Sequence, residues 1–152
     1  MATDEAWEDL AGFSMSRADA FAVIAQAPGA AVTWARRDGH TLAVWVSHAL
    51  LDGELFVTTT DNRPKTRAWR RDGRTSAVFG VPGFGTVTVV GRVVLSDDPG
   101  LRRRFLAALA EKLGIAVDKR ESWIGHMDSD GRLTGHVEVE KLITFDERKL
   151  VF

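Results

Sequence analysis

The sequence predicts a mainly β, α+β domain, in which antiparallel strands are joined by tight turns and accompanied by a few peripheral helices. Short runs rich in Val, Ile, Thr and Trp recur along the chain, and glycine-containing turn signals separate several of them. Only a few segments have the spacing of apolar residues that is typical of amphipathic helices. Strands joined by tight turns pair antiparallel, so this pattern favours a single meandering sheet.

The length and composition fit one globular domain. A chain of 152 residues can bury about two thirds of its unfolded surface, and 45% hydrophobic with 27% charged residues is ordinary for such proteins. We expect an N-terminal arm over residues 1–15 and a single domain over residues 16–152. Cysteine is absent, which excludes disulfides, thiol catalysis and cysteine-bound metal.

Several classes of function have little support in the sequence. The acidic start has no apolar run typical of a signal peptide, so we expect a cytoplasmic protein. No apolar segment approaches the roughly 20 residues that cross a bilayer, and a pI near 6.4 gives no reason to expect nucleic acid. The four histidines lack metal-ligand spacing, and no G-x-S-x-G motif is present. We therefore expect no metal site, no membrane and no nucleic acid, and no catalytic residue can be named.

The first half of the chain predicts one helix followed by three strands. The helix begins after Ser16, a good N-cap, and ends at Pro28-Gly29; we expect it to cover one end of the strands. Residues 30–36 and 41–48 form a hairpin around the Asp38-Gly39 turn signal. A turn over residues 50–53 then leads into the third strand, residues 54–59.

The second half predicts a strand over residues 74–80, a turn at 81–83 and a long strand over 84–95. Gly91 falls on the apolar parity of the long strand, which indicates a bulge or a tight bend. A helix from the Asp97-Asp98-Pro99 sequence to about Lys112 follows, then a helical segment over 119–127 and a closing pair of strands between residues 133 and 150.

The most informative stretch is residues 55–79, LFVTTTDNRPKTRAWRRDGRTSAVF, which predicts a strand, a polar turn, a short basic helix and a second strand. Pro64 suits the first helical position, and Asn62 or Asp61 could cap the helix. Between residues 61 and 74 there are six cationic and two acidic side chains, a local balance of +4 against −1 for the whole chain. Free N–H groups at the helix start, together with these cations, would bind a phosphate. A solvated basic helix end is the alternative interpretation.

The order T-x-x-x-x-R-x-K-T, helix, R-R-D-G-R and hydrophobic strand resembles the pyridoxamine 5′-phosphate oxidase-like superfamily, including its branch that uses the deazaflavin coenzyme F-420. Residues 31–45, 86–99 and 137–150 resemble other strands of these flavoproteins, so the similarity extends over about residues 16–150. It implies an FMN-binding split β-barrel, a homodimer with the cofactor at the subunit interface, and hydride transfer to a small organic substrate.

The resemblance also implies a cofactor site, with either FMN or coenzyme F-420 bound. The residues implied for the phosphate are Thr58, Thr59, Thr60, Arg63, Lys65 and Thr66. The residues implied for the ring are Val44, Trp45, Val46 and Ser47, whose backbone groups would form hydrogen bonds with the ring edge. Trp34, Trp123 or the C-terminal strand of the partner subunit would complete the pocket.

The chain departs from the oxidase in two respects. It lacks the R-x-V-L-L-K second strand, and it lacks the C-terminal segment rich in Arg and His that binds pyridoxamine phosphate. A reductase is therefore favoured over a pyridoxamine phosphate oxidase. Two other classes stay open: a flavin- or haem-binding protein without turnover on the same scaffold, and a nucleic-acid module that uses arginine-rich faces.

Overall fold

Seven antiparallel strands form one sheet in the computed structural model, which describes residues 10–151. The strands are β1 (Ala30–Ala35), β2 (Thr41–Val46), β3 (His48–Leu51), β4 (Glu54–Thr60), β5 (Arg74–Val81), β6 (Gly85–Ser96) and β7 (Arg132–Asp146). Their order in the sheet is β2-β1-β5-β6-β7-β4-β3, and every neighbouring pair is antiparallel. The predicted fold class is confirmed.

The sheet must be strongly curled, because its two edges are consecutive in the chain. β2 and β3 lie at opposite ends of the strand order, yet one residue, Ser47, separates them. The edges can meet at Ser47 only if the sheet rolls into a barrel that remains unpaired between β2 and β3. The backbone of β2 is therefore bonded on one side, to β1.

Four α-helices surround the sheet: α1 (Arg17–Gln26), α2 (Pro64–Arg71), α3 (Pro99–Lys112) and α4 (Arg120–Met127). Short 3-10 turns cover Ala11–Phe13, Val117–Lys119 and Glu147–Lys149. Trp7, a predicted anchor of the N-terminal arm, lies outside the described residues.

Helix α1 begins as the sequence predicts. The hydroxyl of Ser16 accepts a hydrogen bond from the backbone N–H of Asp19 at 3.1 Å. Ala20, Val23 and Ile24 are fully buried in the main core cluster, against strand residues such as Phe79. The helix therefore packs against β5 and β6 in the main core; its covering one end of the strands stays a prediction.

A second core cluster lies between the other face of the sheet and the helices α3 and α4. It contains Ala49, Phe56, Phe105, Leu106, Leu109 and Ile124. The rings of Phe56 on β4 and Phe105 on α3 have centroids 6.1 Å apart. This cluster attaches the β3–β4 hairpin to the helical layer.

The bulge predicted at Gly91 is present. Val90 pairs with Lys141 and Gly91 pairs with Val139, so the extra residue is Glu140 on β7. A Cβ atom on Gly91 would lie 1.9 Å from the carbonyl oxygen of Glu138. Glycine is needed there because no side chain fits between the two backbones.

Three details of the predicted elements are wrong. Residues 48–51, predicted as a strand end and a turn, form the separate strand β3. The chain passes from one edge of the sheet to the other at Ser47, with no Gly or Pro to mark the break. The closing strand pair is one 15-residue strand, β7, whose start pairs with both β4 and β6. Neither Asp61 nor Asn62 caps α2: the N-cap is Arg63, which makes no side-chain cap bond.

Helix α3 has a side-chain cap whose contribution can be measured. The Asp98 carboxylate accepts a hydrogen bond from the backbone N–H of Leu101 at 2.7 Å. We expect Asp98→Ala to lower the free energy of unfolding by about 1 kcal/mol, measured by urea denaturation. Asp97→Ala removes the same charge one residue earlier and should change it by less than about 0.5 kcal/mol. Equal losses would show that charge, not the cap, is responsible.

Candidate functional site

The end of β4 and the start of α2 form one wall of a cleft of about 460 Å³. Ser47 and the end of β2 form the opposite wall, at the point where the barrel is split. The cleft is lined by Trp34, Val44, Trp45, Val46, Ser47, Thr58, Thr59, Thr60, Arg63, Pro64, Lys65 and Arg132. All the residues predicted for a cofactor site line it, except Thr66.

Three cationic side chains, Arg63, Lys65 and Arg132, meet in this cleft. Burial lowers the pKa of Lys65, and the charges of Arg63 and Arg132 lower it further. Burial also lowers the pKa of Arg132, as does Arg63, while Asp128 opposes this change. Within residues 10–151, no ion pair closer than 4.0 Å joins any of the three to a carboxylate. Their mutual repulsion would be relieved by a bound anion.

Arg132 is the cation that sequence reasoning missed. It is the first residue of β7 and pairs with Thr60 across the strands. Its Nε donates to the carbonyl oxygen of Met127 at 2.8 Å, and its Nη1 donates to the hydroxyl of Thr58 at 3.2 Å. The guanidinium is thus held beside the end of β4. No local signal reveals this contact, because Arg132 lies more than 60 residues after Lys65 in the chain.

The threonines divide into two roles. Thr59 and Thr66 are buried, and the hydroxyl of Thr66 donates to the carbonyl oxygen of Thr60 at 2.7 Å. That hydroxyl has a single proton, so it accepts from the hydroxyl of Thr59, 2.8 Å away. Both side chains therefore fasten α2 to β4. The hydroxyls of Thr58 and Thr60 lie on the half-buried side of the strand, toward the cleft.

The other wall of the cleft is apolar and aromatic. Trp45 is 66% exposed and Val44 is 37% exposed, unusually high values for large hydrophobic side chains. A Cβ atom on Gly29 would lie 2.3 Å from the Trp45 ring, so the indole rests directly on that glycine. Trp34, predicted as a residue contributed by a partner subunit, lines the cleft from the same chain. This wall offers flat apolar surface within the same cleft as the cations.

Another cleft, also of about 460 Å³, adjoins this one and shares Trp34 and Pro64 with it. Its charged residues are Arg36, Arg37, Asp38, Arg67 and Arg71. Arg36 pairs with Asp38 at 3.0 Å, and Arg71 donates to the carbonyl oxygen of Ala35 at 3.0 Å. The positive surface therefore continues past the start of α2.

The arginine triplet of α3 is engaged elsewhere. Arg102 pairs with Asp128, Arg103 with Glu121 and Arg104 with Asp52. Each charge is balanced by a neighbouring carboxylate, so the triplet does not form an uncompensated basic patch of the kind that binds nucleic-acid phosphates.

Two further observations concern the described residues only. No group of three or more His, Asp or Glu side chains in residues 10–151 is placed to hold a metal ion. None of the helices in that range has both the length and the apolar character required to cross a bilayer.

The sequence matches no protein-family profile and no curated protein. Solved structures do match. The conserved hypothetical protein Rv2991 from Mycobacterium tuberculosis is 22% identical, with a TM-score of 0.78 over 91% of this chain and 89% of that chain. A provisionally named pyridoxamine 5′-phosphate oxidase from Listeria innocua is 21% identical, with a TM-score of 0.62 over 81% and 92%. The fold is the split β-barrel of pyridoxamine 5′-phosphate oxidase-like proteins.

An F-420 reductase has the same fold, with 20% identity and a TM-score of 0.59 over 80% of this chain and 94% of that chain. At these identities the similarity establishes the architecture. The resemblance seen in the sequence is therefore confirmed for the fold.

Proposed function

We propose that this split-barrel protein is an oxidoreductase that binds FMN or coenzyme F-420 in the cleft between β2 and α2. The observation that carries the proposal is the meeting of Arg63, Lys65 and Arg132, none of them ion-paired to a carboxylate within residues 10–151, in a cleft with an exposed Trp45. FMN and coenzyme F-420 both combine a phosphate with a planar ring. The F-420 reductase and the provisionally named oxidase among the structural neighbours support this class.

The residues present fit such a molecule. Arg63, Lys65 and Arg132 would hold the phosphate, helped by the hydroxyl of Thr58, which accepts from Arg132 and can still donate its own proton. The hydroxyl of Thr60 donates to the Asn62 side chain and would have to turn to reach the phosphate. The unpaired side of β2 offers backbone N–H and C=O groups to a ring edge, and Trp45 and Val44 offer apolar contact to the ring and exclude water from it. When bound, the cofactor supplies hydride transfer. The protein contributes placement and polarity.

The proposed function includes a second copy of the chain as partner and a small organic molecule as substrate. We expect a homodimer whose subunits meet over the cleft and a small organic molecule as hydride acceptor. A reductase agrees better than a pyridoxamine phosphate oxidase with a second strand that lacks the R-x-V-L-L-K sequence.

Cofactor binding is tested most directly by titration. The protein is purified and titrated with FMN and, separately, with coenzyme F-420, while tryptophan fluorescence is recorded. Because Trp34 and Trp45 line the cleft, binding should quench the emission, with a dissociation constant below about 1 mM for at least one cofactor, or about −4 kcal/mol. The proposal fails if neither cofactor binds in that range.

A protein that holds a cofactor without turnover is the second candidate. A heme binding protein from Mycobacterium smegmatis, 17% identical, has a TM-score of 0.62 over 88% of this chain and 59% of that chain. Turnover separates the candidates. An oxidoreductase should accelerate oxidation of the reduced cofactor by a quinone, a nitro compound or a bilin. A carrier would bind the cofactor and leave the rate equal to that in buffer.

A further inference from the structure

A second cavity, of about 740 Å³, lies at the junction of α1, β3 and the end of α3. Its lining shares no residue with the cofactor cleft. Most of the lining is apolar, and the polar side chains in it are Gln26, Glu111 and Lys112. The apolar lining residues are Ala25, Pro28, Ala49, Leu50, Ala108 and Leu113. Nothing in the proposed oxidoreductase function uses this cavity.

Lys112, which lines the cavity, contacts His48, which is buried and does not line it. His48 is 1% exposed, on β3. Its Nε2 lies 2.7 Å from the carbonyl oxygen of Ile24 and 2.7 Å from the Nζ of Lys112. Its Nδ1 is buried without a hydrogen-bond partner. These contacts constrain where the protons lie.

If Nε2 had no proton, it would face the Ile24 oxygen as a second acceptor at 2.7 Å, and the proton on Nδ1 would be buried without an acceptor. If Nε2 carries the proton, it donates to Ile24, and only a lone pair on Nδ1 is unsatisfied. Nζ of Lys112 then faces an N–H group. An ammonium would be repelled there, whereas a neutral amine can direct its lone pair at it.

The electrostatics agree with this arrangement. Burial lowers the pKa of His48 to about 4, although the bond to Ile24 opposes the change; the charge of Lys112 lowers it further. Burial lowers the pKa of Lys112 to about 8. Glu111, which lines the cavity from α3, and the C-terminal end of that helix both favour the ammonium, but burial dominates. The contributions of α1 and its following turn, Ala25, Gln26 and Pro28, are uncharged.

We propose that Lys112 is a reactive amine that binds small apolar aldehydes covalently, as imines, in this second cavity. Nζ turns away from His48, and its lone pair attacks the carbonyl carbon and forms a C–N bond, while one proton passes from nitrogen to the carbonyl oxygen. The nitrogen then forms the C=N bond as the C–O bond breaks, and the hydroxyl leaves as water with the second proton of the nitrogen. Amine and aldehyde thus yield imine and water, and no oxidant or reductant is needed.

The cavity selects for an apolar aldehyde. Its alanine, leucine and proline lining can bury an alkyl or aryl group. The lowered pKa of Lys112 gives it a neutral fraction near neutral pH, and a neutral amine reacts with a carbonyl carbon where an ammonium does not. Lys119, which is exposed, does not line this cavity.

The first experiment measures the reactivity of each lysine. The intact protein is treated with trace acetic anhydride between pH 6 and 11, and modification of Lys65, Lys112, Lys119, Lys141 and Lys149 is quantified by mass spectrometry. Lys112 should reach half of its maximal rate near pH 8, well below the value of roughly 10.4 for a free lysine in a model peptide. A midpoint for Lys112 equal to that of a model peptide measured in the same way would overturn the proposal.

The second experiment traps the adduct. The protein is incubated with butanal and cyanoborohydride at pH 7.5, and alkylation is located by peptide mapping. We expect Lys112 to be alkylated at least about ten times faster than Lys119, because a pKa one unit or more below that of a free lysine gives at least about ten times more neutral amine. Lys112→Arg should abolish this fast phase. Equal alkylation of the two lysines would overturn the proposal.

A cavity variant separates the role of the lining from that of the amine. Ala108→Leu places a larger side chain in the lining of the cavity. It should slow butanal trapping at Lys112 and leave the pH midpoint of acetylation in place; unchanged trapping would show that the cavity does not select the aldehyde. The FMN and F-420 titrations should be the same for wild type and Lys112→Arg, so this inference and the proposed function can fail independently.

Discussion

Lys65→Ala is expected to weaken cofactor binding by about 10- to 150-fold, or roughly 1.5–3 kcal/mol, the usual range for loss of a charge-assisted hydrogen bond to phosphate. Lys65 lies between Arg63 and Arg132, and the repulsion and burial that lower its pKa are relieved when an anion enters. Fluorescence titration with FMN and coenzyme F-420 measures the change in dissociation constant.

Lys119→Ala is the matched control, since it removes the same side chain from an exposed 3-10 turn that does not line the cleft. Its dissociation constants should equal those of the wild type. If Lys65→Ala binds as tightly as the wild type, the phosphate site lies elsewhere in the molecule.

Gly91→Ala is expected to destabilise the fold by about 3 kcal/mol, at the upper end of what overpacking costs. The new methyl group would lie 1.9 Å from the carbonyl oxygen of Glu138, so it must push apart the backbones of β6 and β7. Those strands form the longest pairing in the sheet and have little freedom to separate. Urea unfolding followed by circular dichroism gives the free energy of unfolding.

Gly80→Ala provides the comparison within the same sheet. Gly80 is on β5, and the nearest atom to a Cβ there is the Thr86 Cγ2 at 3.7 Å, an ordinary contact. The free energy of unfolding of Gly80→Ala should differ from that of the wild type by less than about 1 kcal/mol. The lower conformational entropy of its unfolded chain favours a small gain in stability. Similar losses in the two variants would mean that the bulge tolerates a side chain.

Local sequence carries much of the fold and most of the cleft. Residues 58–65 are continuous in the chain. The turn that joins β4 to α2 therefore places their hydroxyls and charges together, independently of how the other strands pair. Gly91 could be predicted because a glycine on the apolar face of a long strand leaves a gap that a bulge can use. Both inferences need only neighbours in sequence.

The missed features depend on contacts between distant residues. Arg132 enters the cleft because β4 pairs with β7 in a register that sets Thr60 opposite it, and no pattern within either strand specifies that register. The separate strand β3 was missed because a single Ser47 with no Gly or Pro beside it is a weak signal for a strand break; the break follows from the curl of the whole sheet. Sequence also cannot tell that the hydroxyls of Thr59 and Thr66 already have partners.

The position of β7 in the sheet has a consequence for synthesis of the chain. The last strand to be made lies between β6 and β4, so the β3–β4 hairpin has no strand to join it to the rest of the sheet until residues 132–137 leave the ribosome. A nascent chain stalled before Arg132 would present two open strand edges, on β4 and β6, in addition to those of β2 and β3. Such edges pair readily with other chains, and β7 covers both of the added ones when it pairs with β4 and β6.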